Sequence, residues 1–347
     1  MKRSFWLCSA VLAALLGAVA DSHQTRVPDG TLWVTERTPA NSTVAAIDAA
    51  TGEPRGITAV GAAPIGITAP RGLDKVYSAD ENAHQLSVID KESVTVLTTI
   101  PMGPGSRPHH LMASVNGRYI YVAEYGTNTV GVVDTQLDLN IVDLTASFNP
   151  AGKTHAVWIA PNGIDLFAVN QGFPTAGPGT LSKLNTKTGE IVWEAAVGNQ
   201  PSEVLVDRTT AYVSIRNEHA IRVYDVSGDA PLFLGEAEAE PLPDTLSLTN
   251  DKRTVIVGLR GTPARMAFID TATLTTTYLL LPGATTGHQW LSSNSRFTFI
   301  ALESPGRIAV VDNRTRTLVT TYAYPNGMPR LHGVFYEPPR GENRNNP

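Results

Sequence analysis

Tyr119-Ile120-Tyr121-Val122 and, a few residues on, Val130-Gly131-Val132-Val133-Asp134 decide the fold. Both are short β-branched and aromatic runs, and the second ends in an acidic residue. That second pattern recurs along the chain as Val44-Ala45-Ala46-Ile47-Asp48, Leu86-Ser87-Val88-Ile89-Asp90, Leu181-Ser182-Lys183-Leu184-Asn185, Ile221-Arg222-Val223-Tyr224-Asp225, Met266-Ala267-Phe268-Ile269-Asp270 and Ile308-Ala309-Val310-Val311-Asp312. Successive terminal residues lie 42, 44, 51, 40, 45 and 42 apart. That is the period of a four-stranded propeller blade.

Other pieces repeat in phase. Most segments follow a β-rich stretch such as Leu166-Phe167-Ala168-Val169 or Phe297-Thr298-Phe299-Ile300, itself preceded by a short strand and a turn such as Ser114-Val115-Asn116-Gly117. Short strands between Gly, Asn and Pro turns predict an all-β fold. The N-terminal part offers three strands of a blade, Leu32 to Glu36, Val44 to Asp48 and roughly Arg55 to Val60, without the innermost one. The C-terminus ends with a lone strand of the innermost type, Gly333 to Tyr336. Joining them closes a seven-bladed ring with no open edge. The expected organisation is a signal peptide at 1–20, a lead-in at 21–30, one propeller over 31–337 and a tail at 338–347.

The stretch Ser114-Val115-Asn116-Gly117-Arg118-Tyr119-Ile120-Tyr121-Val122-Ala123-Glu124, followed by Asn128-Thr129-Val130-Gly131-Val132-Val133-Asp134, resembles the YVTN-type, lactonase-like propeller family across nearly the whole mature chain. Glu124 stands where that family usually has asparagine. A fainter resemblance is to secreted fungal natural-product propellers. The first resemblance implies opening or closing of lactone rings by histidine, arginine and glutamate at the channel mouth. The second implies dehydration of a tropolone-type alcohol and hetero-Diels–Alder cycloaddition of the resulting quinone methide.

Aligning the repeats on their turns gathers chemistry at one mouth of the channel. Before the inner strands stand His109 and His110, His155, Ser202 and Glu203, Asp244, His288 and His332; after the second strands stand Glu36, Asp80, Glu124, Asn170, Arg216, Arg260 and Glu303. Five of the eight histidines thus converge, with His109, His155 and His332 at one repeat position and His288 aligned with His110. The expected catalytic set is His109, His110, His155, His288, His332 and Glu124, since imidazole titrates near neutrality and a carboxylate orients it. Arg216, Arg260, Asp244 and Glu303 are expected to bind substrate. Trp158 and Trp290, placed beside His155 and His288, should flank a flat ligand. The long interval around Gly172 to Gly179 reads as an elongated blade loop or a lip over the site.

Three uses of such a mouth are open: acid–base chemistry on a small molecule, a metal held by three or four imidazoles, and recognition without chemistry. No close metal-ligand spacing, Gly-x-Ser-x-Gly elbow, phosphate loop or dinucleotide fingerprint occurs. The expected reaction is the cofactor-free dehydration and cycloaddition implied by the second resemblance, with lactone hydrolysis as runner-up and a non-catalytic binding propeller third.

Composition sets the remaining bounds. A formal charge of −5 and a pI near 5.9 provide no basic stripe for nucleic acid. Met1-Lys2-Arg3, an apolar run from Phe5 and Ala18-Val19-Ala20 before Asp21 read as a signal peptide. Its run is shorter than the roughly 20 residues needed to cross hydrocarbon, so no membrane contact is expected after cleavage. The single cysteine, Cys8, lies within it, which removes thiol chemistry from the mature chain. Asn41-Ser42-Thr43 and Asn313-Arg314-Thr315 are glycosylation sequons suited to a secreted, extracellular protein. The expected partner is a small-molecule substrate, met by a monomer.

Overall fold

A computed structural model of the chain describes residues 26–342 apart from 39–40, 150, 173–177 and 326–329. The signal peptide, Cys8, His23 and the middle of the loop at 172–179 lie outside the described residues. Seven four-stranded antiparallel sheets form a ring. Among the described residues only two short 3-10 turns, Glu81–Ala83 and Arg216–Glu218, interrupt the β structure. No helix among them is long and apolar enough to cross a membrane.

Blade 1 joins the two ends of the chain. Its inner strand, Leu331–Glu337, pairs with Thr31–Glu36, followed by Thr43–Asp48 and Pro54–Ala59. The three-plus-one closure expected from the sequence is therefore present. The inner strands of blades 2 to 7 are Pro64–Thr68, Pro108–Ala113, Lys153–Ile159, Pro201–Asp207, Pro243–Leu248 and Thr285–Leu291.

The recurring acidic or amide residue has a local cause. Asp48, Asp90, Asp134, Asn185, Asp225, Asp270 and Asp312 each end the third strand of a blade, and Oδ1 of each accepts hydrogen bonds from backbone N–H groups two or three residues on. The side chain thus builds the turn into the outer strand. Apolar side chains from inner, second and third strands pack between neighbouring blades. Tyr77, Leu86 and Val88 of blade 2 meet Leu111, Ile120 and Val122 of blade 3 in one such layer. Leu232, Phe233 and Leu234 stand exposed on the outer strand of blade 5, an apolar surface not anticipated from the sequence.

Candidate functional site

Every inner strand carries one extra residue against its neighbour near its start. Pro108 pairs with Glu124 but Leu111 with Val122; Pro201 pairs with Ile215 but Val204 with Val213; Thr286 pairs with Leu302 but Gln289 with Ile300. The same shift occurs in the other four blades. Side chains alternate across a regular strand, whereas a bulge re-aims them. Two successive residues per blade can therefore face the channel, which gives two stacked rows. The first contains His109, His155, Ser202, Asp244 and His332; the second contains His110, Glu203, Thr245 and His288. Glycines fill crowded positions in these rows. A Cβ on Gly66 would run into the His109 carbonyl oxygen, and one on Gly287 would lie 2.6 Å from that of His332.

The five histidines form one cluster. Ring centroids of His109 and His155 are 4.3 Å apart, those of His288 and His332 4.6 Å, and those of His110 and His288 6.0 Å. Tyr125, which the sequence reading passed over, covers His109 and His155 at 5.8 and 6.1 Å. Hydrogen bonds assign several tautomers. Nδ1 of His155 donates to the Ser202 carbonyl at 2.6 Å, and Nδ1 of His332 donates to Glu303 Oε1 at 2.6 Å. His110 Nδ1 accepts the Val157 N–H at 3.5 Å, leaving Nε2–H facing Glu203 Oε1 at 3.5 Å.

Electrostatics divide the cluster. Burial drives the imidazoles toward the neutral form, holding His110 at about 4, His155 at about 3 and His332 at about 4, the last despite the opposing pull of Glu303. His109 and His288 are held well below the usual range by burial and by the other histidines. Burial pushes Glu203 well above the usual carboxylate range, reinforced by Asp244, which favours its neutral acid form. Burial alone would also raise Asp244, but Arg216 and Arg260 outweigh it and keep it ionised. Glu303 is held at about 2, because His332 and Arg260 overcome its burial.

A cavity of about 370 Å³ opens from the second row. Glu203, His110 and His288 form its inner end, Trp158, Trp290, Met112 and Leu205 its walls, and Pro161, Arg208 and Lys252 its outer rim. The rim residues belong to the turns joining inner to second strands. The cavity therefore opens on the face of the disc opposite the mouth chosen from the sequence. Trp158 and Trp290 do not begin their strands but occupy the far half, pairing with Phe167 and Phe299. They flank the cavity from that side. Trp158 Nε1, Thr245 Oγ1 and Gln289 Oε1, all on cavity-lining residues, are buried without a hydrogen-bond partner among the described residues. Buried polar atoms are seldom left so.

Other expected residues serve elsewhere. Glu124 is turned into its own blade, where Oε2 accepts from Thr129 and Thr127, so it does not partner the histidines. Asp80 and Asn170 likewise bond within their blades. Arg216 and Arg260 are not poised for a substrate oxygen: Asp244 accepts from both, and Arg260 Nη2 also reaches Glu303 at 2.7 Å. The difference is one residue. Glu124 and Asn170 sit directly opposite the start of the inner strand, while Arg216, Arg260 and Glu303 follow that position. His84 and His219 end the two 3-10 turns, and Nδ1 of each accepts the backbone N–H of Arg107 or Leu242. Among the described residues no group of three or more His, Cys, Asp or Glu is arranged to hold a metal. Asn313 is half-buried, donating to the Ser295 carbonyl at 2.8 Å and accepting from Thr298 at 2.7 Å.

Solved propellers match this architecture closely. The chain shares its fold with a candidate 6-phosphogluconolactonase from Bacteroides fragilis (TM-score 0.70, 17% identity, 89% of this chain and 98% of that one). A candidate 6-phosphogluconolactonase from Bacteroides uniformis gives a TM-score of 0.72 at 15% identity, with 89% and 99% covered. The periplasmic gluconolactonase of Pseudomonas aeruginosa gives 0.68 at 16%, with 89% and 99% covered.

The fold is the seven-bladed β-propeller.

No protein-family model and no curated protein sequence matches the chain. The lactonase side of the expected resemblance thus has structural counterparts, whereas the resemblance to fungal cycloaddition propellers gains no support from these structures.

Proposed function

We propose that this propeller is a hydrolase of small lactones, working at the inner end of the aromatic-walled cavity. The observation that carries the reading is geometric: Glu203, His110 and His288 line the inner end of one cavity, with His110 Nε2 3.5 Å from Glu203 Oε1, and burial favours the neutral form of each. His288 has no hydrogen-bond partner among the described residues and lines the cavity, so its free nitrogen can take a proton from water as that water attacks the carbonyl carbon. His110 holds one oxygen of Glu203, leaving the acidic O–H to protonate the ring oxygen as the acyl–oxygen bond breaks. The lactonases among the structural neighbours favour this reaction class.

Dehydration of a tropolone-type alcohol, with or without a following cycloaddition, is the second reading. It is favoured by the same acid between two tryptophans, because loss of hydroxide as water needs a proton donor beside a flat ligand. Secretion and glycosylation remain part of either proposal.

The test is mass spectrometry of the purified protein incubated with a panel of lactones and tropolone-type alcohols, wild type beside His288→Ala. Ring-opened hydroxy acids from the wild type, lost in the variant, support lactone hydrolysis. A dehydrated or coupled product with no ring opening moves the assignment to the second reading. Equal turnover by the variant overturns the role of His288.

A further inference from the structure

Beside the reaction cavity lies a second hollow of about 240 Å³. Both are lined by Met112, Pro161, Trp290 and Leu291, so one wall serves two compartments. Trp290 is braced there by Phe335, at a ring distance of 4.4 Å. The side compartment adds Ala69, Ala113, Val115 and Pro338 to its lining.

The polar residues around it are largely committed elsewhere. Ser114 Oγ and Ser292 Oγ donate to Asn116 and Asn294 within their own turns, at 2.8 and 2.9 Å. Tyr336 directs its hydroxyl to the Asp29 carbonyl at 2.7 Å and stacks its ring on Phe299. The hollow therefore offers mostly hydrocarbon, next to a chamber whose inner end is set up for proton transfer. A strictly polar substrate such as a sugar lactone would leave this apolar surface wet.

We infer that the side compartment is a subsite for an alkyl chain carried by the substrate, so that the preferred lactones bear a linear hydrocarbon substituent on the ring. This rests on the reading of the main cavity as a lactone site. The reacting ring lies between Trp158 and Trp290 near Glu203, and the chain passes the Trp290 edge into the hollow. Each methylene buried there is worth about a three- to fourfold gain in affinity.

The experiment measures kcat/KM for δ-lactones whose ring substituent lengthens from none to pentyl, for the wild type, Ala113→Phe and Val115→Asp. Ala113 lines the hollow but not the main cavity, and Val115 lies half exposed at its edge, so Val115→Asp leaves the interior packing intact. The expected result is a rise of about three- to fourfold per methylene in the wild type, flattened in both variants. A flat wild-type series, or a rise that survives both substitutions, overturns the subsite. A separate arm titrates 1-decanol against tryptophan fluorescence without any lactone. Saturable binding lost in Ala113→Phe supports the subsite even where no lactone is opened, whereas its absence overturns it.

Discussion

Glu203 Oε1 lies 3.5 Å from His110 Nε2, and burial moves the two groups in opposite directions. The carboxyl is kept protonated and the imidazole unprotonated, so the pair is neutral where a free pair would form an ion pair. An acid and the imidazole that holds it thus sit side by side without being driven to an ion pair.

The pH dependence of kcat/KM should show this directly. Activity is expected to fall on the acid side below the ordinary imidazole range, as His288 takes up a proton, and on the alkaline side above the ordinary carboxylate range, as Glu203 ionises. Glu203→Gln should cost roughly 10²- to 10⁴-fold in rate and remove the alkaline limb. A variant that keeps that limb would assign it to another group.

Asp244 is the anchor of the first row, bonded to Arg216, Arg260 and Ser202 with 2% of its surface exposed. Removing its charge leaves two partly buried guanidinium groups with less compensation. Asp244→Asn should lower unfolding stability by about 3–5 kcal/mol, read from urea denaturation. A loss under about 1 kcal/mol would mean that the network relaxes at little cost.

Global stability should peak near neutrality. The five histidines have lowered folded pKa values, so below about 6.5 the unfolded chain binds protons that the folded chain does not, and stability falls as pH drops toward 4. Glu203, Glu124 at about 7 and Asp80 at about 6 are raised instead. Their contribution is full below the unfolded carboxylate range and is lost as pH rises through their folded values, which offsets part of the histidine slope. The balance places the maximum at about pH 6 to 7. Calorimetry across pH 4 to 9 checks it, and a melting temperature that keeps rising toward pH 4 would contradict the neutral cluster.

A single N-glycan is expected, on Asn41. Asn313 already uses its carboxamide nitrogen to hold the Ser295 carbonyl, and a sugar on that nitrogen takes one of its two N–H groups and crowds that contact. Enzymatic deglycosylation of protein secreted from a eukaryotic host should shift the mass by one glycan, and Asn41→Gln should abolish the shift. A shift that survives in Asn41→Gln and disappears in Asn313→Gln would reverse the assignment.

The ring itself was legible because its signal is local: each blade needs an acidic or amide side chain to cap the same turn, so Asp48 through Asp312 mark the period. The two rows were legible too, since His109, His155 and His332 hold equivalent positions in the register, as do His110 and His288. Glu203 was visible at its row but not distinguished, because its neutral state comes from depth and not from its neighbours in sequence. The open face was misjudged for a similar reason. Alignment shows which residues share a level, but only the packing shows that the first row is filled by ion pairs and by Tyr125 while the second gives onto open space. Glu124 and Arg216 could not be sorted either, since one residue of offset decides whether a side chain enters the blade or the channel.

The pairing of Leu331–Glu337 with Thr31–Glu36 also sets an order of events during folding. His332 lies on the last of the described strands, and with it comes the only hydrogen bond from a histidine to Glu303 among the described residues. Until that strand docks, the channel is a gap between blades 2 and 7 and the cluster lacks one of its imidazoles.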